Sequence, residues 1–125
     1  MTQRTARPPT GADRLPLDLE TMRGSARLLL AEDAELPTTG ELETLTLTLR
    51  GHMMLLVPAV EDATRGLPDD DVPKACALAC VGEARMRLGL EPGRTLPAAV
   101  AHAQRLARSV NALCDHVENL DGAHQ

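Results

Sequence analysis

Not one of the 125 residues is Phe, Tyr or Trp, although 43% of the chain is hydrophobic. Any core must therefore be filled by Leu, Val, Met and Ala. Leu, Met and Ala are strong helix formers, whereas sheets draw on aromatic and β-branched residues to cover their faces. The composition thus favours closely packed helices. The same absence removes a base-stacking platform, an aromatic cage for a cation and a phenol for acid catalysis.

Punctuation along the chain marks where those helices begin. Leu-Pro occurs four times, at Leu15-Pro16, Leu36-Pro37, Leu67-Pro68 and Leu96-Pro97. Each lies at or just before a helical pattern, where proline's fixed φ and missing N–H do no harm. Capping residues flank each one: Asp18, Thr38, Asp70 or Asp71, and Thr95. Thr38 with Glu41 reads as a capping box. Gly66-Leu67 and Gly89-Leu90 read as stops of the Schellman kind, with glycine in the left-handed region. These signals predict helices near 18–33, 39–65, 72–88 and 96–120. The short connections favour an all-α, antiparallel up-down four-helix bundle spanning 15–121, preceded by a flexible tail at 1–14.

Apolar periodicity assigns the faces. In the last helix Ala99, Ala103, Leu106, Val110, Leu113, Val117 and Leu120 alternate steps of four and three. Val100, Ala107 and Cys114 widen that stripe on one flank; His102, Ser109 and His116 lie on the other. In the second helix, Thr44 to Leu49 alternates with the period of a strand. A longer helical stripe (Leu42, Leu45, Leu49, Met53, Leu56, Val60, Ala63) runs through the same region and outweighs it. Pro58 removes one backbone bond there, which predicts a kink. The third helix carries small residues all round: Leu78, Val81 and Leu88 on one face, Ala75, Ala79, Gly82 and Met86 on the next. That pattern predicts a helix central in its bundle or shared with a second subunit.

Charge narrows the partners. Thirteen basic and eighteen acidic residues give a net charge of −5, so the chain as a whole has no electrostatic pull toward nucleic acid or anionic membrane. No apolar run, Met53 to Val57 and Ala75 to Val81 included, approaches the about 20 residues that span a bilayer. Residues 1–14 lack the apolar segment of a signal peptide. Three cysteines without framework spacing fit reduced thiols and a cytoplasmic location.

No catalytic or metal motif stands out. Cys76 and Cys80 are one turn apart, and Cys114, His52 and His116 are the other soft ligands. Yet no Cys-x-x-Cys, Glu-x-x-His or His-Glu-x-x-His pattern joins them, and cysteines among alanines are commonly packing groups. His102 and His116 stand about 21 Å apart along a helix rising ~1.5 Å per residue, too far to share a site; each reads as a boundary residue with a wet edge. His52 reads as a core-edge histidine bonded to a neighbouring helix. Between Val81 and Arg108, five arginines (Arg85, Arg87, Arg94, Arg105, Arg108) face only Glu83 and Glu91. That patch is either a solvated face or a dock for an acidic partner or a phosphate, with nucleic acid the less favoured reading in so acidic a chain.

Three segments carry a resemblance: Leu49 to Pro58 (LRGHMMLLVP), Asp70 to Arg85 (DDVPKACALACVGEAR) and Ala107 to His116 (ARSVNALCDH). They resemble a family of small, uncharacterised actinobacterial helical proteins often labelled natural-product biosynthesis proteins, over about residues 17–120. The resemblance implies an association with secondary metabolism and no particular reaction or cofactor. The sequence reads as a non-catalytic accessory or regulatory protein acting through protein–protein contact. It is expected to dimerise through its third or fourth helix or to bind another protein. Candidate recognition residues are Arg50 and His52, then Glu83, Arg85 and Arg87, then Arg108, Asn111, Asp115 and His116. The alternative is a small-molecule or metal-binding bundle using His52, Cys76, Cys80, Cys114 and His116.

Overall fold

The computed structural model describes residues 17–123; the expected tail at 1–14 and the first Leu-Pro step lie outside them. Four helices follow in order: α1 (Leu19–Leu30), α2 (Thr39–Thr64), α3 (Val72–Leu88) and α4 (Leu96–Ala123). No strand forms among the described residues. Each helix begins on a side chain that accepts from an otherwise orphaned N–H. Asp18 accepts from the Thr21 amide at 3.0 Å, Asp71 from Lys74 at 2.9 Å and Thr95 from Ala98 at 3.2 Å. Thr38 and Glu41 complete the reciprocal capping box, at 3.2 and 2.9 Å.

The helix ends differ from the sequence expectation. No described glycine has a positive φ, so the Schellman stops are not formed. Gly89 stays right-handed at φ −83° and ψ −8°. Its N–H donates to the carbonyls of Arg85 and Met86, and Leu90 donates to Arg87. Tightened terminal turns satisfy the last carbonyls without a left-handed residue. α1 stops at Leu30, short of 33: Ala31 is extended, and Glu32 and Asp33 would have placed negative charge at a helix C-terminus.

α4 is the central element. It packs against α1, α2 and α3, whereas α1 and α3 do not approach each other. Its stripe Ala103, Leu106, Val110, Leu113, Val117 and Leu120 is buried, with Ala107 and Cys114 on one flank and His102 and Ser109 on the other. α2 contributes Leu42, Leu49, Met53, Leu56 and Val60; α1 contributes Met22, Ala26 and Leu29. Each fully buried leucine stabilises the bundle by about 1.5–3 kcal/mol. α2 runs unbroken through Pro58.

α3 is peripheral, so of the two expectations for its small residues, a central place or a face shared with a second subunit, the first is not met. Only Ala77, Val81 and Ala84 are buried. Leu78, assigned to the core face, is 39% exposed, and Ala75, Ala79, Gly82 and Met86 all face solvent. α3 is anchored instead by polar contacts from its C-terminal half to α2 and α4. No helix is long and apolar enough to cross a membrane among the described residues.

Candidate functional site

The period-two alternation in α2 has a structural consequence. Successive leucines two apart turn about 200° around a helix of ~3.6 residues per turn, so Leu45 and Leu49 share a side and Leu47 points away. Leu49 is fully buried, while Leu47 is 69% exposed. Leu47 belongs to a second face of α2, with Thr39, Leu42, Glu43, Thr46 and Arg50, and that face lines a cavity of about 640 Å³. The opposite wall is the end of α3 and the loop from Gly89 to Thr95; the floor is the start of α4, with Leu96, Ala99 and His102. The volume lies in the range of small-molecule sites.

The lining is largely apolar and includes a guanidinium and an imidazole. Leu42, Leu47, Leu88, Leu90 and Leu96 supply the apolar surface. Arg50 is half-buried, and no carboxylate pairs with it among the described residues. His102 is only 3% exposed, and its Nε2 is a buried polar atom with no hydrogen-bond partner among the described residues. Burial pushes the His102 imidazole below its ordinary pKa, and the positive charges of Arg50 and Arg105 push it further. The ring is therefore neutral near pH 7. Glu43, Glu91 and Arg94 stand exposed around the lining. The loop is held close to α4 at Gly93, where an added Cβ would collide with that of Ala98 and lie 3.3 Å from its backbone.

His102 is thus not the wet boundary residue that its position implied. Its burial arises from α2 and the α3–α4 loop, which a helical wheel of α4 does not contain. The signal present in the sequence was the flank it shares with Ser109, also buried.

The sequence-selected residues are distributed over separate places. Arg50 lies in the cavity. His52, half-buried, hydrogen-bonds through Nε2 to Ser25 Oγ of α1 at 3.2 Å, the core-edge role its position implied; burial lowers its pKa. Arg85 pairs with Glu61 of α2 at 2.9 Å, and Arg87 with Glu83 one turn back at 2.9 Å. Two arginines of the basic patch are therefore neutralised within the chain, and Arg108 is exposed. Asp115 pairs with Arg23 of α1 at 2.6 Å and, with Asn111, lines a smaller hollow of about 330 Å³. His116 is half-buried on the same helix.

The soft ligands do not assemble. Cys76 is exposed, Cys80 half-buried and Cys114 buried. Burial raises the Cys80 thiol pKa and pushes that of Cys114 up to about 11, which keeps both protonated. Among the described residues no three His, Cys, Asp or Glu side chains stand close enough to hold a metal ion.

Fold and cavity together define an all-α bundle with a largely apolar hollow whose lining includes a buried imidazole and a guanidinium that holds no carboxylate among the described residues. By sequence, the chain belongs to the DUF6415 family, a family of unknown function, which matches residues 20–122. No curated protein and no solved structure matches it.

Proposed function

We propose that this protein is a non-catalytic, small-molecule-binding helical bundle whose ligand occupies the cavity between α2 and the α3–α4 loop. The observation that carries this reading is His102: a buried Nε2 with no partner among the described residues, in a residue that lines a ligand-sized hollow. Buried polar groups are ordinarily satisfied, and an exception beside a cavity is accounted for by a group that arrives from outside. The polar lining, a guanidinium, an imidazole and threonine hydroxyls, is suited to holding and orienting a ligand. The resemblance to proteins labelled for natural-product biosynthesis is consistent with a metabolite as that ligand.

Amide NMR of the ¹⁵N-labelled protein, titrated with a set of acidic, basic and neutral small molecules, tests the reading. Shifts confined to Thr39–Arg50 and Leu88–His102 are expected. A set that moves none of these residues would overturn it.

A second reading, an accessory protein working through protein–protein contact, is favoured by α3. Its outward face, Val72, Ala75, Ala79, Gly82 and Met86, is solvent-exposed and carries no charge. That is unusual for a surface helix and suits a second copy of the chain. Light-scattering mass of the wild type and of Gly82→Arg separates the two readings: a dimer broken by the substitution supports the interface, and a monomer in both excludes it.

A further inference from the structure

We propose that the cavity takes an organic anion: a carboxylate on an apolar body, its head held between Arg50 and His102 and its body against Leu42, Leu47 and Leu90. This rests on the small-molecule reading above and names the ligand's chemistry.

The arginines make the first argument. Arg23, Arg65, Arg85 and Arg87 each hold a carboxylate of this chain, at 2.6 to 2.9 Å. Arg65 does so while 75% exposed and Arg85 while 57% exposed. The exposed Arg27, Arg94, Arg105 and Arg108 hold none among the described residues, but of the half-buried arginines, Arg23, Arg50 and Arg87, Arg50 alone has no carboxylate partner there, in a chain of net charge −5. A guanidinium facing a hollow with its fork unfilled matches a carboxylate by geometry and charge.

The second argument is independent. His102, a residue of the same lining, carries a buried Nε2 with no hydrogen-bond partner among the described residues. As the protonated nitrogen of a neutral ring it donates one hydrogen bond, which a carboxylate oxygen accepts. The charges acting on the ring, Arg50 from α2 and Arg105 from α4, are both positive. A cationic ligand head would be repelled there, and a neutral one would leave Arg50 unpaired. Glu43 and Glu91, exposed in the lining, disfavour an anionic head beside them. The partial positive charge of the α4 N-terminus favours an anion. An anion beside His102 also reverses the local field, so binding takes up a proton as pH falls through the imidazole range.

The missing aromatics supply the assay. The four histidines are the only aromatic side chains of the chain, so a phenyl-bearing probe shifts leucine methyls against an almost empty background. The probes are 4-phenylbutyrate, 4-phenylbutan-1-ol and 4-phenylbutylamine, titrated into protein with ¹³C-labelled leucine methyls. The acid is expected to bind about tenfold or more tightly than the alcohol or amine, as a charge-assisted pair does over a neutral one. Leu42, Leu47 and Leu90 methyls should shift, and the His102 ring should titrate at higher pH with the acid bound. Arg50→Gln should reduce the acid to the alcohol's affinity. Thr46→Glu, which sets a carboxylate one turn from Arg50, should do the same with the arginine in place; circular dichroism confirms that each variant is folded. Equal binding of acid and alcohol, or an acid preference that survives both substitutions, would overturn the anion and leave the small-molecule reading standing. If none of the probes shifts the cavity methyls, both fall.

Discussion

The Arg87 guanidinium of α3 donates to the Ser109 hydroxyl of α4 across 2.9 Å, and the same nitrogen reaches the Arg105 carbonyl at 3.0 Å. Ser109 is almost fully buried, so this bond satisfies a polar group that would otherwise lie unpaired in the core. The apolar contribution of α3 is thin, two alanines and a valine. Its attachment to the bundle therefore depends on this clamp and on the Arg85–Glu61 pair to α2.

Replacing Arg87 by Met is expected to lower stability by about 1–3 kcal/mol, because the Ser109 hydroxyl and the carbonyl lose their donor inside the protein. Ser109→Ala should cost less, since Arg87 keeps the carbonyl and Glu83. The double variant should be no less stable than Arg87→Met alone. Urea unfolding followed by circular dichroism measures all three, and strictly additive losses would contradict the coupling.

Leu47 and Leu49 separate the helix from the strand that the alternation imitates. Leu49→Ala is expected to cost about 2–5 kcal/mol as a large-to-small change in a filled core. Leu47→Ala should lie within about 0.5 kcal/mol of wild type, as exposed positions do, while altering the cavity wall. Comparable losses at both positions would contradict the assigned register.

These two leucines also show how far sequence reasoning reached. Caps and stripes are local: Asp18, Thr38, Asp71 and Thr95 each act within one turn, so the starts of the helices were legible. The a/d stripe of α4 was legible for the same reason. The sequence left α3 either central or shared with a second subunit, because smallness all round a helix suits both; its peripheral place excludes the first. The better signal was the width of the α4 arc, from Ala107 and Cys114 across to His102 and Ser109, all buried. The cavity was not legible. It forms where one face of α2, the end of α3 and a loop converge on His102, and no single helical wheel contains that convergence. Of its polar groups Arg50 was singled out for partner recognition, Arg94 as part of the basic patch and His102 as a boundary residue, none as a lining residue.

Glycine at position 93 lets the loop lie against α4. An added Cβ would meet Ala98, whose backbone cannot yield as a flexible side chain would. Gly93→Ala is expected to displace the loop, lower the melting temperature by several degrees as about 1 kcal/mol does in a chain of this size, and confine amide shifts to Leu88–His102. Shifts spread over α1 and α3 would contradict a local origin.

The three thiols should react in an order set by burial. Cys76 is exposed and should consume one equivalent of Ellman's reagent promptly in the native protein. Cys80 should follow more slowly. Cys114, fully buried with its pKa raised to about 11, should react only on opening, because the thiolate is the nucleophile. All three should react at once in denaturant. Two prompt equivalents in native protein would contradict the placement of the half-buried thiol.

Two histidines give stability a pH dependence near neutrality. Burial lowers the pKa of His52, and burial with Arg50 and Arg105 lowers that of His102. In the unfolded chain both return to about 6.5. Between the folded and unfolded values the unfolded state binds more protons, so protonation favours unfolding. Stability is therefore full above pH ~6.5 and falls as pH descends toward the folded-state values, each histidine contributing at most about 1.4 kcal/mol per pH unit. The capping carboxylates act in a lower window. Asp18 is held below the usual range by its side-chain and backbone bonds from Thr21, and Glu41 by the Thr38 amide; their contribution is lost only below about pH 4. Urea midpoints measured from pH 8 to 5 should decline in wild type. The decline should be shallower in His52→Gln and in His102→Gln, and shallower still when the two are combined. A wild-type midpoint that stays level from pH 8 to 5, or a slope unchanged by both substitutions, would show that neither ring is held neutral by its surroundings.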